Sequence, residues 1–187
     1  MMNTGFNPGH DEMLDPGACD PVQSWEGDWI DTKEAVWCKE VIGMAIAKMQ
    51  RKGHKAAYIQ SNSLGEICAM ANASGVDVFI SLHLNAAEST SAQGPETYFC
   101  TGSADGQRLA ECVQAKLVQK LGAQARDRGI KPANFYVLKY TSAPAVLVEA
   151  AFITNVWEES IVHQQWFKDA VSDALVEGAL AYAGKEE

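Results

Sequence analysis

The chain has 187 residues, of which 47% are hydrophobic and 21% are charged. This composition is typical of a globular protein and excludes a disordered one. The formal net charge of −9 argues against unaided binding to nucleic acid or to an anionic membrane surface. No apolar stretch approaches the roughly 20 residues that a transmembrane helix needs, and the N-terminus lacks the basic and apolar regions of a secretory signal. We therefore expect a chain made in the cytoplasm, folded as one domain over residues 1–187.

Helix and strand patterns alternate along the chain. A short strand within residues 1–6 is followed by a loop rich in Pro, Gly and Asp, which runs to about residue 29. Helix patterns cover 31–53, 63–75, 103–121 and 156–183, and further strand patterns cover 56–61, 76–86, 94–100, 134–140 and 144–152. Alternating strands and helices with near-continuous apolar runs indicate an α/β fold. We expect a mostly parallel sheet of about six strands, flanked by helices on both faces.

Polar side chains interrupt two of these apolar strand patterns. The segment "FISLHLNA" (79–86) places His83 and Asn85 near a strand end, and "AVLVEAAFITN" (145–155) places Glu149 inside an apolar run. A core strand tolerates such groups only if they are paired, neutralised or bound to a metal. Strand alternation places Ser81, His83 and Asn85 on one face. Because ligands in such sheets bind beyond the carboxyl ends of the strands, this region is a candidate site.

Two further residues are candidates for the same site. His10 follows the first strand in the turn "NPGH", and Glu34 falls in the first turn of the first helix, whose positive end favours a carboxylate. Alternatively, Glu34 could be the N3 partner of an Asp31 cap, His10 a solvated loop residue and His83 a hydrogen-bonded structural residue. Two histidines and a carboxylate are nevertheless the protein ligands of one kind of catalytic zinc site. A further carboxylate, here Glu149, would be its general base.

Seven motifs occur in a specific order: "NPGH", "DPGA", a glutamate 19 residues before a helix-ending glycine, "FISLHLNA", "GPETYF", "RGIKPANFYVL" and "PAVLVEAAFITN". In this order and spacing the chain resembles the zinc-dependent N-acetylmuramoyl-L-alanine amidases, the cell-wall lytic catalytic domain of bacterial autolysins and phage endolysins. The resemblance runs from Asn7 to about Ala183. It implies a twisted mixed sheet flanked by helices.

The resemblance also implies the chemistry. It makes His10, Glu34 and His83 the ligands of Zn²⁺ and Glu149 the catalytic glutamate. The substrate would be peptidoglycan, cleaved at the amide between N-acetylmuramic acid and the L-alanine of the peptide stem. Asn85 either helps to hold the substrate or caps the end of its strand.

Glu34 is preferred as the acidic ligand because it combines the helix-start position with the expected distance to Gly53. The other acidic candidates are Glu26, Asp28 and Glu40. Two alternative functions stay open. One is a zinc peptidase or deacetylase that acts on another amide, and the other is an inactive wall-binding domain of the same fold.

The sequence departs from the family pattern at two places. Family members often have glycines where this chain has Asp11-Glu12-Met13, and an arginine where it has Ile67. These differences concern substrate contacts more than the chemistry. Endolysins usually carry a separate wall-binding domain, which we do not expect after Ala183. We therefore expect the chain to reach the cell wall after release or by another export route.

Overall fold

The computed structural model describes residues 1–11, 13–19 and 33–184. The elements in chain order are β1 (Asn3–Pro8), α1 (Glu34–Arg51), β2 (Lys55–Tyr58), α2 (Leu64–Ala73), β3 (Val78–Asn85), β4 (Glu96–Phe99), α3 (Ala104–Leu121), β5 (Ile130–Pro132), α4 (Tyr136–Tyr140), β6 (Ala145–Phe152), α5 (Val156–Val162) and α6 (Gln165–Tyr182). Within the described ranges, no helix combines the length and apolar character needed to cross a membrane.

The six strands form one sheet in the order β2-β1-β3-β6-β4-β5. Strands β2, β1, β3 and β6 pair in parallel, β4 pairs antiparallel with β6, and β5 runs parallel to β4. The predicted mixed and mostly parallel sheet is therefore confirmed. Strands β1 and β3 are central neighbours, so the residues that follow them meet at the same edge of the sheet.

Helices cover both faces of the sheet, as expected for an α/β fold. Successive strand residues point to opposite faces, and Ile80, Leu82 and Val148 accordingly pack in a core with α1, α3 and α6. Phe79 and Leu147 pack on the other face, in a second core with α2 and α4. Ser81, His83 and Glu149 have the parity of this second face, so the polar side chains emerge beside the smaller core.

One predicted strand is wrong. The aromatic and β-branched residues of "NFYVLKY" favour a strand over 134–140, but Tyr136–Tyr140 form the helix α4. Val137 and Leu138 are buried in the core that also contains Ile67 of α2, and this packing outweighs the strand propensity. The strand of this region is instead β5, whose Pro132 is tolerated because β5 is an edge strand.

The last predicted helix is also divided. Residues 156–183 form α5 and α6, which are separated at His163 and Gln164. The predicted start is correct, because the Asn155 side chain accepts hydrogen bonds from the backbone N–H groups of Trp157 and Glu158. The prediction is therefore right about where the helical segment starts and wrong in making it one continuous helix.

Candidate metal centre and active site

Three side chains of metal-ligand type converge beyond the carboxyl ends of β1 and β3. His10 follows β1, His83 lies near the end of β3, and Glu34 is the first residue of α1. One potential ligand atom of each residue lies within 4.8 Å of the other two. The structure thus brings together the three residues of the predicted zinc site, while their role as ligands stays a prediction.

Glu34 lies between the two histidines and is only 2% exposed. Its Oε1 is 2.8 Å from His83 Nδ1 and accepts a hydrogen bond from the backbone N–H of Leu84. Its Oε2 is 3.5 Å from His10 Nε2 and accepts from the backbone N–H of Ala18 at 2.8 Å. Both carboxylate oxygens are therefore held by the backbone while each faces one imidazole ring.

The start of α1 argues against the capping-box interpretation of Glu34. Lys33 is the N-cap residue, so Glu34 occupies the first helical position rather than N3, where a capping-box glutamate belongs. The carboxylate turns toward the histidines instead of back along its own helix. Asp31 and the alternative acids Glu26 and Asp28 lie outside the described residues.

Asp15 orients His10. The Asp15 Oδ2 atom lies 2.9 Å from His10 Nδ1, and the hydrogen bond from His10 holds the pKa of Asp15 below its usual value. Because an ionised carboxylate only accepts hydrogen bonds, Nδ1 carries a proton, and Nε2 is the nitrogen that faces Glu34. Sequence reasoning missed this role, although Asp15 begins the "DPGA" motif.

Two glycines leave the space among these side chains open. A Cβ atom on Gly9 would lie 2.4 Å from His83 Nδ1, and one on Gly17 would lie 2.5 Å from Glu34 Oε2. Gly17 also has a φ of +72°, which favours glycine. Any side chain at either position would enter the volume between the potential ligand atoms.

Glu149 lies next to this cluster, as the register partner of His83 in the pairing of β3 with β6. Its Oε2 is buried and has no hydrogen-bond partner among the described residues. Burial raises the pKa of Glu149 to about 8, and the negative charges of Glu34 and Glu96 add to the shift. A nearby cation would favour the ionised form that burial disfavours.

The donor set fits a divalent cation, and zinc in particular. Two imidazole nitrogens and one carboxylate oxygen are a common zinc ligand set that leaves a position for water. One ring nitrogen of His10 and one of His83 face the same carboxylate, an arrangement that a shared cation would stabilise. The unpartnered oxygen of Glu149 supplies a second acidic group beside that position.

Asn85 belongs to a polar cluster on the other side of Glu149. Its Nδ2 donates to Oε1 of the buried Glu96 at 2.7 Å, and Tyr98 Oη donates to the same oxygen. Glu96 Oε2 accepts from Arg128 Nε at 2.7 Å and from Lys131 Nζ. Burial acts to raise the pKa of Glu96, but these hydrogen bonds lower it below its usual value. Asn85 thus ties β3 to β4, and its contact with substrate stays a prediction.

A cleft of about 440 Å³ opens beside the two histidines. Leu64, Phe135 and Tyr136 form part of its wall, and each of them is exposed to solvent. The cleft falls in the usual size range of small-molecule sites. Its lining includes Asp11 and Ile67, which are positions where the sequence departs from the family pattern, so these departures lie where substrate contacts are expected.

Comparison with known sequences finds one family model and several related proteins. A family described as N-acetylmuramoyl-L-alanine amidase matches residues 6–181. N-acetylmuramoyl-L-alanine amidase LytC of Bacillus subtilis is 38% identical over 176 residues, which are 91% of this chain and 35% of LytC. The probable cell wall amidase LytH of Staphylococcus saprophyticus is 30% identical over 152 residues, which are 81% of this chain and 50% of LytH. The chain therefore spans about a third to a half of the length of these relatives.

Comparison with solved structures gives the same fold. An N-acetylmuramoyl-L-alanine amidase from Clostridium difficile 630 superposes with a TM-score of 0.87 at 28% identity, covering 100% of this chain and 98% of that one. The catalytic domain of the amidase CwlV from Bacillus (Paenibacillus) polymyxa superposes with a TM-score of 0.86, covering 100% of both chains. At 21% identity, the second likeness concerns the fold alone.

Proposed function

Because this chain belongs to the N-acetylmuramoyl-L-alanine amidase family, we propose that it hydrolyses the amide between N-acetylmuramic acid and L-alanine in peptidoglycan with a bound zinc ion. Residues 1–187 would act as one catalytic domain on the cell wall. The observation that carries the proposal is the Oε2 atom of Glu149, which is buried without a hydrogen-bond partner among the described residues, next to a His–Glu–His cluster.

The zinc would be held by His10, Glu34 and His83, whose donor atoms face one another in the open space that Gly9 and Gly17 leave. When bound, zinc supplies a water nucleophile at neutral pH and a positive charge for the oxygen of the scissile carbonyl. The chain's own task is to hold these donors in place. Backbone N–H groups fix Glu34, and Asp15 fixes the His10 ring.

Glu149 would move the proton. Its Oε2 takes a proton from the attacking water while the water oxygen bonds to the carbonyl carbon. The same oxygen then gives the proton to the alanine nitrogen as the carbon–nitrogen bond breaks. The products are a muramic acid carboxylate and a free alanine amino group. A positioned acid–base group of this kind typically contributes about 10²–10⁴-fold to the rate.

The location of Glu149 suits this role. Glu149 lies on β6 beside His83. Its Oε2 atom makes no hydrogen bond within the described part of the chain. Its pKa of about 8 reflects burial and two neighbouring carboxylates. A divalent cation held by His10, Glu34 and His83 would act against this shift and would favour the ionised form of Glu149.

Product analysis tests the proposal against its alternatives. The zinc-loaded protein is incubated with purified peptidoglycan, and new amino termini and new reducing sugar ends are measured separately. An amidase releases N-terminal alanine without new reducing ends. A peptidase exposes other amino termini, a deacetylase releases acetate, and an inactive wall-binding domain pellets with the wall but releases nothing. Any of these three outcomes would contradict the proposed activity.

A further inference from the structure

We propose that Ser81, Asn7 and Gln60 are positioning residues that fix the tautomer of His83 and thereby choose Nδ1 as the atom presented to the metal. This inference rests on the proposed zinc site and deepens it. The three side chains form a hydrogen-bond chain from the His83 ring to the backbone of His10. It therefore connects the two candidate histidine ligands on the side away from Glu34.

The chain of hydrogen bonds is continuous. Ser81 Oγ lies 3.1 Å from His83 Nε2 and 2.7 Å from Asn7 Oδ1. Asn7 Nδ2 lies 2.9 Å from Gln60 Oε1, and Gln60 Nε2 bonds to the backbone carbonyl of His10. Ser81 is 0% exposed and Asn7 is 2% exposed, so the middle of this hydrogen-bond chain is shielded from solvent. Buried polar groups of this kind are costly unless they are paired.

A backbone carbonyl fixes the direction of the chain at Asn7. The Asn7 amide also contacts the carbonyl oxygen of Ile59 at 2.9 Å. A carbonyl can only accept, so the atom that faces it is the NH₂ group, and Oδ1 must face Ser81. The Ser81 hydroxyl then donates its only hydrogen to Asn7 Oδ1. Toward His83 it can only accept, and His83 Nε2 must therefore carry a hydrogen.

The end of the hydrogen-bond chain at His10 requires the same direction of donation, on separate evidence. The backbone carbonyl of His10 can only accept, so the Gln60 amide turns its NH₂ group toward it. Gln60 Oε1 then faces Asn7 and accepts from its NH₂ group. The backbone carbonyls of Ile59 and His10 thus require the same donor direction along the hydrogen-bond chain.

The consequence at the site is a defined pair of ligand atoms. With its proton on Nε2, a neutral His83 ring has its lone pair on Nδ1, the nitrogen 2.8 Å from Glu34 Oε1, where a metal ion would take the place of the proton that this contact otherwise requires. Asp15 imposes the opposite tautomer on His10, whose free Nε2 also faces Glu34. The two histidines therefore offer different ring nitrogens to the same place. Gln60 also holds the backbone of His10, which has an unfavourable φ of +61°.

Nuclear magnetic resonance reads the tautomers directly. Long-range ¹H–¹⁵N correlations are recorded on zinc-loaded protein with ¹⁵N-labelled histidine, with His54→Gln and His163→Gln variants for assignment. We expect His83 to carry its proton on Nε2 and His10 on Nδ1. A zinc-loaded His83 ring protonated on Nδ1 would overturn the inference. In metal-free protein Nε2 should carry a proton as well, whether or not Nδ1 also donates to Glu34.

Zinc affinity measures what the positioning contributes. Ser81→Ala removes the acceptor for His83 Nε2, and the affinity, measured by chelator competition, should fall about 10–100-fold, as for other side chains that orient metal ligands. Ser172→Ala is the matched control, because Ser172 is equally buried and hydrogen-bonded, on α6. Its affinity should equal that of wild type.

A second variant protects the test against poor folding of Ser81→Ala. Gln60 is half-buried, so Gln60→Met should fold while it breaks the far end of the chain, and zinc affinity should again fall. If both variants melt at a lower temperature yet bind zinc as tightly as wild type, the hydrogen bonds of Ser81, Asn7 and Gln60 stabilise the fold without positioning His83, and the inference is wrong. If wild type binds no zinc, the proposed function fails, and the presence or absence of a proton on Nε2 of metal-free His83 still decides the inference.

Discussion

His83 and Glu149 are direct partners in the parallel pairing of β3 with β6. Glu149 in turn pairs with Glu96 of β4, so three ionisable residues occupy neighbouring positions across the sheet. The row runs from a candidate metal ligand, through a candidate base, to a carboxylate neutralised by Arg128 and Lys131. Glu149 thus lies between the histidine side of the site and the ionic cluster around Glu96.

The first prediction concerns metal content. If His10, Glu34 and His83 bind zinc, the purified protein should hold about one zinc per chain, since one tetrahedral site needs these three ligands and a water. His83→Ala should lose the metal and the hydrolysis of peptidoglycan, as measured by elemental analysis and turbidity loss. His54→Gln is the control, because His54 accepts a hydrogen bond from the N-terminal backbone and takes no part in the cluster. Full zinc content in His83→Ala would exclude it as a ligand.

The second prediction concerns Glu34. Glu34→Gln keeps the size of the side chain but removes the negative charge between the histidines, so zinc content and activity should both fall sharply. Glu40→Gln on the same helix removes an exposed partner of Lys168 and should leave both unchanged. Normal zinc content in Glu34→Gln would contradict this assignment and direct attention to Glu26 and Asp28.

The third prediction concerns Asp15, which holds His10 through Nδ1. Asp15→Asn should lower zinc affinity by about 10–100-fold, because an amide can donate to Nδ1 and thereby favour the wrong tautomer of His10. Chelator competition measures the change. Asp105→Asn is a control of matched exposure, on α3. Equal affinities of the two variants would show that Asp15 does not orient the ligand.

The fourth prediction concerns the pH dependence of stability at Glu96. Glu96→Gln should lower the free energy of unfolding at pH 7 by about 1–3 kcal/mol, because Arg128 and Lys131 lose a buried acceptor. The pKa of Glu96 lies below its ordinary value of 4.5 in the folded chain. Its ionised form therefore stabilises the fold above that value, and this stabilisation is lost as the pH falls through the lowered pKa.

The measurement is urea denaturation of wild type and Glu96→Gln at a series of pH values. The difference in unfolding free energy should shrink as the pH falls from the ordinary value of 4.5 through the lowered pKa of Glu96, because the protonated glutamic acid then resembles the glutamine. Tyr98, Asn85 and Glu149 face the side chain at position 96 and are unchanged between the two proteins. A difference that stays constant across this range would contradict the assignment of the lowered pKa.

The fold and the candidate ligands could be predicted because their signals are local or belong to the family pattern. An acid inside "AVLVEAAF" is costly to bury wherever that strand lies, which singled out Glu149. Alternation along β3 placed Ser81 and His83 on one face before any tertiary contact was known. The error at "NFYVLKY" arose because tertiary packing decides whether a short apolar segment forms a helix or a strand. Here the segment packs against α2 as a helix.

The supporting residues could not be predicted. Asn7 and Ser81 are ordinary polar residues, separated by 74 positions, that meet only because β1 and β3 are neighbours in the sheet. Gln60 follows β2 and reaches His10 from the opposite side of β1. No local pattern marks such residues. Their role depends on the backbone carbonyls to which the side-chain amides of Asn7 and Gln60 donate in the folded chain, and these contacts form only on folding.

The most direct test of the whole account is the turnover of zinc-loaded Glu149→Gln on purified peptidoglycan, measured as new N-terminal alanine per folded molecule. Glutamine nearly keeps the size of glutamate but cannot accept a proton from water. We predict wild-type zinc content, a melting temperature close to that of wild type, and turnover lower by about 10²–10⁴-fold. Loss of zinc would instead make Glu149 a ligand, and turnover near wild type would make it a structural carboxylate. Either result would contradict its role as the general base.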